Sequence, residues 1–471
     1  MPTDPRGEFS HPISADMLKN GLTRDEHLAR DKNFLAECEM VVGYAGSLAT
    51  VPNLVSAMAP DLPDCEWPFP QVITTQRALF ICTEQDIYTY SGGALNLIWS
   101  GDENYWRWTV LDHITDVWLA NGQHVLRYNV AKGELTPEEP HGGEVDVGIP
   151  NFVCSTTYNG QSIIGGVTVP EPSLETPPSA TSDQVWFSVP GEMNFSLDER
   201  NMSGRRSAGA HCDCLWMEKL GRKVIVFSSH GTDALYPADV GWGLEHITDY
   251  GLFSQWAITR ADEGTLWFID SRRHLMEMNA DGLRDHGCEM WFDVKEWVLS
   301  WDPRHKLLYI CNGAEGFVYN PEEESLARGV AGISGITSSN LVVGHTGAVA
   351  PGAINVTTNW YDFGSRAYKT IQRVEYSMAV ENARNCLQGA IDFRADNESA
   401  WRTTPWKRIC PSGILWTPCY GIEFRIRLRS RGALTQQGHL DNIRIVGTVH
   451  GYDFLNAIGW APNSNSPTSE G

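Results

Sequence analysis

The sequence lacks the segments that would carry it into or across a membrane. No stretch approaches the roughly 18 consecutive apolar residues that span a bilayer. The first residues, MPTDPRGEFSHPISADML, contain acids and prolines where a signal peptide has a basic patch followed by an apolar run. We therefore expect no membrane span and no export through a signal sequence.

The sequence also lacks a paired cysteine framework. Its 11 cysteines are an odd number, scattered along the chain, and several lie within apolar runs such as residues 79–82 and 309–311. Scattered cysteines of this kind are typical of buried thiols in a reducing compartment. Cys212 and Cys214, which follow His211, resemble half of a zinc site, but no second pair follows at ligand spacing. We predict that they are packing residues and that the chain binds no metal.

Local signatures of the familiar enzymes are missing as well. The sequence has no glycine-rich phosphate loop, no His-Glu-x-x-His and no Gly-x-Ser-x-Gly. His113, His124, His230 and His246 each stand apart beside aromatic residues or turns, as core or solvated histidines do. We therefore predict no catalytic residue, no cofactor and no enzymatic activity.

A glycoside hydrolase remains an alternative, because such enzymes also use β-propellers. Their chemistry needs paired carboxylates, often with arginines and a tyrosine. The candidates in this sequence are Asp233, Asp239 and Tyr236, with Arg205 and Arg206 nearby. A receptor- or glycan-binding propeller without catalysis is the other alternative.

What the sequence has in abundance is tryptophan, negative charge and short strand-like runs. Eighteen tryptophans recur beside β-branched or aromatic residues between Gly, Asn or Asp turns, which favours many short antiparallel strands. One imperfect helical stripe over residues 15–40 predicts a short helix. The net charge is -22, yet residues 351–450 alone carry +5. A large acidic surface opposes non-specific binding to nucleic acid and keeps a protein soluble.

From about residue 70 a unit recurs in which two apolar strands flank a polar turn. The clearest copies are residues 77–90, 115–128, 264–278 and 305–319, with less regular copies at 161–189 and 214–227. Such hairpins cannot bury both faces alone and must stack on neighbours of the same kind. The repeat predicts an irregular β-propeller of six or seven blades, with a pair of β-sandwiches as the alternative.

The predicted fold class is all-β: a propeller followed by a C-terminal β-sandwich. The predicted segments are an N-terminal segment (1–69) that flanks or closes the propeller, the propeller (70–330), a linker (331–352), the sandwich (353–450) and a flexible tail (451–471). Gly- and Ser-rich residues mark the linker, and polar residues with Pro mark the tail.

The sharpest surface feature lies in the predicted sandwich. In residues 424–429 apolar residues alternate strictly with arginines, so one face of the strand is apolar and the other is arginine. The predicted interaction residues are Arg425, Arg427, Arg429 and Arg431. They dock an acidic patch or contact DNA phosphate, or else they form a solvated face paired with cross-strand acids such as Asp392.

The order of these pieces resembles the tail nozzle, or tail hub, proteins of short-tailed bacteriophages. The resemblance covers residues 40–450 and is carried by residues 360–364 (WYDFG), residues 373–376 (RVEY), the strand at 424–428 and residues 441–445 (DNIRI). The upstream WVLSWDPRHKLLYICNGAEGFVYNPE is similar to the penultimate blade of such propellers.

The resemblance implies a structural virion protein that assembles in the host cytoplasm. It implies a homo-oligomeric ring, a hexamer, at the distal end of the DNA channel, where the protein retains packaged DNA until ejection. The implied partners are portal and adaptor proteins, tail fibre or needle proteins, and genomic double-stranded DNA in transient contact. An acidic propeller and a basic sandwich have the opposite signs that subunits meeting head to tail require.

Overall fold

The computed structural model describes most of the 471-residue chain. The described residues are 8–13, 18–25, 33–59, 62–103, 106–113, 116–138, 149–167, 183–195, 204–207, 213–239, 241–262, 264–345, 352–364, 366–379, 386–394, 400–433 and 438–450. They form two compact units. The sandwich unit comprises Met1–Asn53, Glu315–Val330 and Ala350–Gly471, and the propeller unit comprises Leu54–Ala314 and Ala331–Val349.

Short strands supply almost all of the regular structure. The sandwich unit opens with β1 (Glu8–Ile13), β2 (Leu35–Glu39), β3 (Val41–Tyr44) and β4 (Ser47–Thr50). The propeller unit then contributes β5 (Gln71–Thr74), β6 (Leu79–Cys82), β7 (Asp86–Ser91), β8 (Ala94–Ser100), β9 (Thr109–Asp112), β10 (Val117–Ala120), β11 (Val125–Asn129), β12 (Glu134–Pro137), β13 (Cys154–Tyr158), β14 (Gln161–Gly165), β15 (Gln184–Phe187), β16 (Gly204–Ser207), β17 (Cys214–Leu220), β18 (Lys223–Ser228), β19 (Thr232–Pro237), β20 (Trp242–Thr248), β21 (Ile258–Ala261), β22 (Thr265–Ile269), β23 (Leu275–Asn279), β24 (Gly282–Asp285), β25 (Val298–Asp302) and β26 (Leu307–Cys311).

The rest of the chain alternates between the two units. The sandwich unit takes β27 (Gly316–Asn320) and β28 (Ser325–Arg328), and the propeller unit takes β29 (Ile333–Ile336) and β30 (Val342–Gly344). The sandwich unit is completed by β31 (Ala353–Thr358), β32 (Tyr368–Ala379), β33 (Leu387–Arg394), β34 (Arg402–Thr403), β35 (Lys407–Arg408), β36 (Ile414–Gly421), β37 (Glu423–Ala433) and β38 (His439–His450).

The propeller unit is a ring of radial sheets. Its strands from β5 to β24 form five consecutive four-stranded antiparallel sheets, and β25–β26 and β29–β30 add two hairpins. First strands of neighbouring sheets pack side by side in the pairs β9–β13, β13–β17, β21–β25 and β25–β29, and β29 also packs against β5. The contact from β29 to β5 joins the last sheet of this unit to the first.

The inner propeller strands β10, β14, β22, β25 and β26 are buried on both faces, because each sheet is covered by a neighbour on either side. All five residues of β26 are buried, as are four of the five in β22. The apolar core is accordingly distributed between adjacent sheets: Phe227 of the fourth sheet meets Phe268 of the fifth with ring centroids 4.9 Å apart. Each fully buried side chain of this size contributes roughly 1.5–3 kcal/mol.

A capping residue recurs at the turn between the second and third strands of the sheets. Its side-chain oxygen accepts hydrogen bonds from backbone N–H groups two to four residues ahead, which closes the turn. The caps are Thr83, Asn121, Ser228, Asp270 and Asn312. All five are buried, so their polar atoms require these partners.

The sandwich unit contains two sheets. One has the order β3-β4-β38-β32-β36, with β1 paired to β38, and the other includes β28-β2-β31-β37-β33-β34, with β35 also paired to β33. Here the strands alternate, because one face meets the core and the other is open to solvent. In β36, Leu415, Thr417 and Cys419 are buried while Trp416 and Tyr420 are exposed.

The predicted all-β class, a propeller followed by a sandwich, is confirmed. The domain division in the structure differs from the predicted boundaries in two places. The N-terminal β1–β4 belong to the sandwich unit, where they complete its sheets, and the predicted linker (331–352) contains β29 and β30 of the propeller. The predicted tail (451–471) lies outside the described residues.

The predicted helix over residues 15–40 is wrong for the described residues from Gly21 onward, since Gly21 and Leu22 form β-bridges. Residues 35–39 form β2, because their backbone pairs with β31. The sequence prediction also did not include β36, whose Pro418 and exposed aromatics disguise the alternation. Within the described part of the chain, no helix has the length and apolar character needed to cross a bilayer.

Candidate functional site: the arginine-tryptophan face of the sandwich

Strand β37 presents arginines on one face and core residues on the other. Phe424, Ile426 and Leu428 are at most 4 % exposed. Arg425, Arg427 and Arg429 project from the opposite face, and Arg431 is exposed beyond them. The period of two predicted from the sequence is thus present in the structure. We call these four arginines, together with Trp360, Trp401 and Trp406, the arginine-tryptophan face.

One acid, Asp392, neutralises part of the positive charge of this face. Asp392 of β33 lies directly opposite Arg425 of β37 in the register. The Nε and Nη2 atoms of Arg425 donate to Asp392 Oδ2 at 2.9 and 2.7 Å, and Thr403 donates to Oδ1 at 2.8 Å. Asp392 is fully buried, and Arg427 approaches it only to 3.8 Å. The cross-strand pairing with Asp392 therefore serves Arg425 best.

Tryptophan rings separate the arginines from one another. The guanidinium of Arg425 lies 5.1 Å from the ring centre of Trp360 and 5.5 Å from that of Trp401. Trp406 has Arg429 at 4.0 Å and Arg427 at 5.2 Å. Each such contact contributes about 0.5–1 kcal/mol at exposed positions. The rings hold like charges in place and thereby offset their mutual repulsion.

Beside Trp406 the face forms a recess of about 600 Å³. Its polar and charged lining is Glu39, Asn355, Gln388, Trp406, Arg427, Arg429, Ser430 and Arg431. Across the strands, Arg429 stands between Asn355 of β31 and Gln388 of β33. Its Nε donates to Gln388 Oε1 at 3.2 Å, so its nearest bonded partner is neutral. Three arginines face a single acid in this recess, which favours an anionic occupant.

The four predicted interaction residues therefore differ in environment. Arg425 is held by a buried acid, whereas Arg429 and Arg431 are exposed. Sequence reasoning placed the three tryptophans in the same module as the 424–428 strand but did not include them among the interaction residues. They lie at irregular spacing on the segments before β32 and around β34 and β35. Their number was visible in the composition, but their convergence on β37 depends on strand pairing.

The residues proposed for a hydrolase are dispersed. Asp233 is buried and faces His246, whose Nδ1 lies 2.8 Å from its Oδ1. Tyr236 stands three residues further along β19 and therefore points to the opposite face, and Asp239 lies exposed beyond the strand. Arg206 donates to the backbone oxygen of Trp242.

The cysteines proposed as packing residues are described in part. Cys214 is buried with Cys154 and Met217 in the core between the third and fourth sheets. Burial raises the pKa of the Cys214 thiol to about 12. Cys212, His211 and the side chain of Arg205 lie outside the described residues. Among the residues that are described, no group of His, Cys, Asp and Glu side chains is placed to hold a metal ion.

A second arginine site lies inside the propeller unit. Arg107 precedes β9 of the second sheet, yet its Nη1 donates to the carbonyl oxygens of Gln255 and Ile258, at 2.7 and 3.2 Å, in the fifth sheet. Its guanidinium lies 3.9 Å from the ring centre of Trp216 in β17. Burial lowers the pKa of Arg107 to about 10, with the charge of Glu218 acting in the opposite direction. This arginine links sheets that are not neighbours in the ring.

The sequence comparisons leave this chain without an assigned family. No protein-family model matches the sequence, and no curated protein does.

Solved structures match this chain at low sequence identity and low TM-score. The extracellular domain of BT4673 from B. thetaiotaomicron matches with a TM-score of 0.39 and 10% identity, over 73% of this chain. The match takes in 45% of that protein's chain, which is less than half of its length. A chain of the mitotic checkpoint complex matches with a TM-score of 0.38 and 9% identity, over 64% of this chain and 90% of that one. YCF48 bound to D1 peptide matches with a TM-score of 0.34 and 11% identity, over 59% and 87%.

Proposed function

We propose that this chain is a non-enzymatic binding protein that recognises an acidic protein surface through its arginine-tryptophan face. The observation that carries the proposal is the recess, where Arg429 and Arg431 are exposed and Arg427, Arg429 and Arg431 face the single acid Glu39. A positively charged, preorganised surface with aromatic side chains is typical of interaction sites. The propeller supplies a rigid scaffold for further contacts.

The charge of the whole chain favours a protein partner over nucleic acid. Nucleic-acid affinity depends on neutralising many phosphates. A chain of net charge -22 repels a polyanion at long range. Acidic side chains on a protein surface can meet a few arginines locally without bringing a continuous line of phosphates close to the acidic propeller.

The test is direct binding by the full chain. We expect a labelled poly-glutamate peptide of only a few residues to bind, since it is short enough to reach the recess without following the acidic remainder of the surface. Binding should weaken as salt is raised, because the attraction is electrostatic. Arg429→Glu with Arg431→Glu should abolish it. Arg222→Glu, an exposed arginine in the turn between β17 and β18, is the matched control. Equal binding by both variants, or preferential binding of a labelled DNA duplex by the unmodified chain, would contradict the proposal.

A second candidate places the protein in a phage tail, as a nozzle or hub subunit. It is supported by the order of a propeller and a sandwich, by the motifs at 360–364, 373–376 and 441–445, and by the opposite charges of residues 351–450 and the rest of the chain. In that setting the protein is a homo-hexameric virion component that retains packaged DNA and contacts portal, adaptor and fibre or needle proteins.

The mass of the purified protein in solution tests the nozzle assignment. We expect a ring near six times 52.4 kDa, alone or with a portal-adaptor complex, visible by negative-stain microscopy. A strict monomer under both conditions argues against a ring. Turnover of generic sialosides or glucosides would instead favour the hydrolase alternative.

A further inference from the structure

The propeller unit carries an acidic surface that complements the arginine-tryptophan face. Residues 62–103, which include the whole first sheet, contain six acids and one basic residue, Arg77. Arg77 is engaged with Asp112 at 3.7 Å. The remaining acids are therefore not balanced by a basic residue of the same segment.

Five of these acids belong to the connections at the ends of the strands. They are Asp64 and Glu66 before β5, Glu84 in the turn between β6 and β7, and Asp102 and Glu103 after β8. The turn and the end of β8 are tied together, because Gly101 donates to the carbonyl of Gln85, and Gln85 Nε2 donates to Glu103 Oε1 at 3.2 Å. We call these five residues the acidic patch.

Two further observations describe the acids of the acidic patch: their effect on a neighbouring thiol and their exposure. Burial, followed by the charges of Glu84 and Asp64, raises the pKa of the Cys65 thiol to about 12, so both acids act electrostatically on the same side chain. Asp64, Glu66, Asp102 and Glu103 are exposed. One carboxylate oxygen of Glu84 is buried and has no hydrogen-bond partner among the described residues.

We propose that the occupant of the arginine-tryptophan face is the acidic patch of a second copy of this chain. The inference rests on the proposed function and names its partner. Opposite charges on different parts of one chain generate a head-to-tail contact, in which each copy offers its patch to one neighbour and its face to another. The recess beside Trp406 has room for carboxylates beside Arg427, Arg429 and Arg431, and Asn355 and Gln388 are neutral polar residues of its lining.

Charge-swapped variants of the full chain test this contact. The face variant combines Arg429→Glu with Arg431→Glu, and the patch variant combines Asp102→Lys with Glu103→Lys; all four residues are exposed. We expect the unmodified protein to self-associate in low salt, as measured by sedimentation velocity, and each variant to be monomeric. Asp281→Lys, an exposed acid between β23 and β24, is the control and should associate normally.

Mixing the two variants gives the most specific result. The face variant retains its patch and the patch variant retains its face, and the two swapped surfaces also have opposite charges. An equimolar mixture can therefore form both contacts and should regain the assembly of the unmodified chain. A single chain carrying all four changes has the original net charge and should regain the original assembly. A mixture that stays monomeric, or a face variant that assembles normally, overturns the proposal.

The two proposals fail in different ways. A chain that is monomeric at every concentration but binds poly-glutamate through Arg429 and Arg431 overturns self-association and supports the proposed function. A chain that neither self-associates nor binds poly-glutamate overturns both. Capture of a labelled DNA duplex in place of a second copy also overturns the inference.

Discussion

Arginine stacks on tryptophan in both units, and the two settings have opposite consequences. In the propeller, Arg107 lies against Trp216, and its Nη1 is bonded to two backbone carbonyls. In the sandwich, Arg429 lies against Trp406 at a similar distance but is exposed, and among the described residues it donates to the neutral amide of Gln388. The comparison teaches that the same pair is structural where the guanidinium is bonded to backbone carbonyls of another sheet, and available for binding where the guanidinium is exposed.

The largest effect is expected when the propeller arginine is removed. Arg107→Met leaves the carbonyls of Gln255 and Ile258 without their donor and deletes the contact with Trp216. Unsatisfied buried carbonyls cost about 1–3 kcal/mol each, so we expect a loss of about 3 kcal/mol. Urea unfolding measures it, with Arg222→Met as the control. A change as small as that of the control would mean that Arg107 is not structural.

A smaller loss is expected on the sandwich when the buried acid is neutralised. Asp392→Asn keeps the shape of the side chain but leaves Arg425 without its counter-charge, which should cost about 2 kcal/mol. The folded variant has one negative charge fewer beneath the face and should bind poly-glutamate more tightly. Unchanged stability together with unchanged affinity would show that Asp392 does not restrain the face.

The exposed arginines should behave in the opposite manner to Arg107. Arg429→Gln with Arg431→Gln should change the free energy of unfolding by about 0.5 kcal/mol or less. The same variant should bind poly-glutamate about tenfold more weakly or worse, because the attraction is lost while the fold remains. Fluorescence anisotropy and urea unfolding on one preparation separate the two quantities. A large loss of stability in this variant would mean that Arg429 and Arg431 are structural, as Arg107 is expected to be, and would contradict the distinction between the two arginine sites.

The smallest effect concerns the acid near Arg107. Burial raises the pKa of Glu218, and the charges of Arg260 and Arg107 oppose that shift. The folded chain therefore holds this proton more tightly than the unfolded chain. The contribution of Glu218 to stability is most favourable below its ordinary pKa of 4.5 and falls as the pH rises through the raised value.

Unfolding of the unmodified chain and of Glu218→Gln across that pH range checks this sign. The unmodified chain should lose stability relative to the variant as the pH increases. A difference that moves in the other direction would mean that the ion pair with Arg260, 3.0 Å long, outweighs burial.

The sequence predicted the features that depend on local pattern. The polar turns of the repeats became hairpins, and the alternation in residues 424–429 placed Phe424 inside and Arg425 outside. These follow from strand period and turn chemistry alone.

Features that depend on distant pairing were not predicted. β2 was interpreted as part of a helix, because its partner β31 is over 300 positions away. Trp406 and Arg429 meet only because β35 and β37 both pair with β33. The link from Arg107 to Ile258 has no sequence period at all, since it joins sheets that are not adjacent.

Three of the five turn caps provide a positional signature for this chain. A constant interval separates Ser228, Asp270 and Asn312, and each is the buried residue that closes the same turn in its sheet. The turn requires a short side chain with an acceptor oxygen, and Ser, Asp and Asn all provide one. An alignment that scores residue identity therefore does not detect the repeat of this position. A profile scored on acceptor atoms at this interval would detect descent from a common duplicated ancestor in chains whose other residues have diverged.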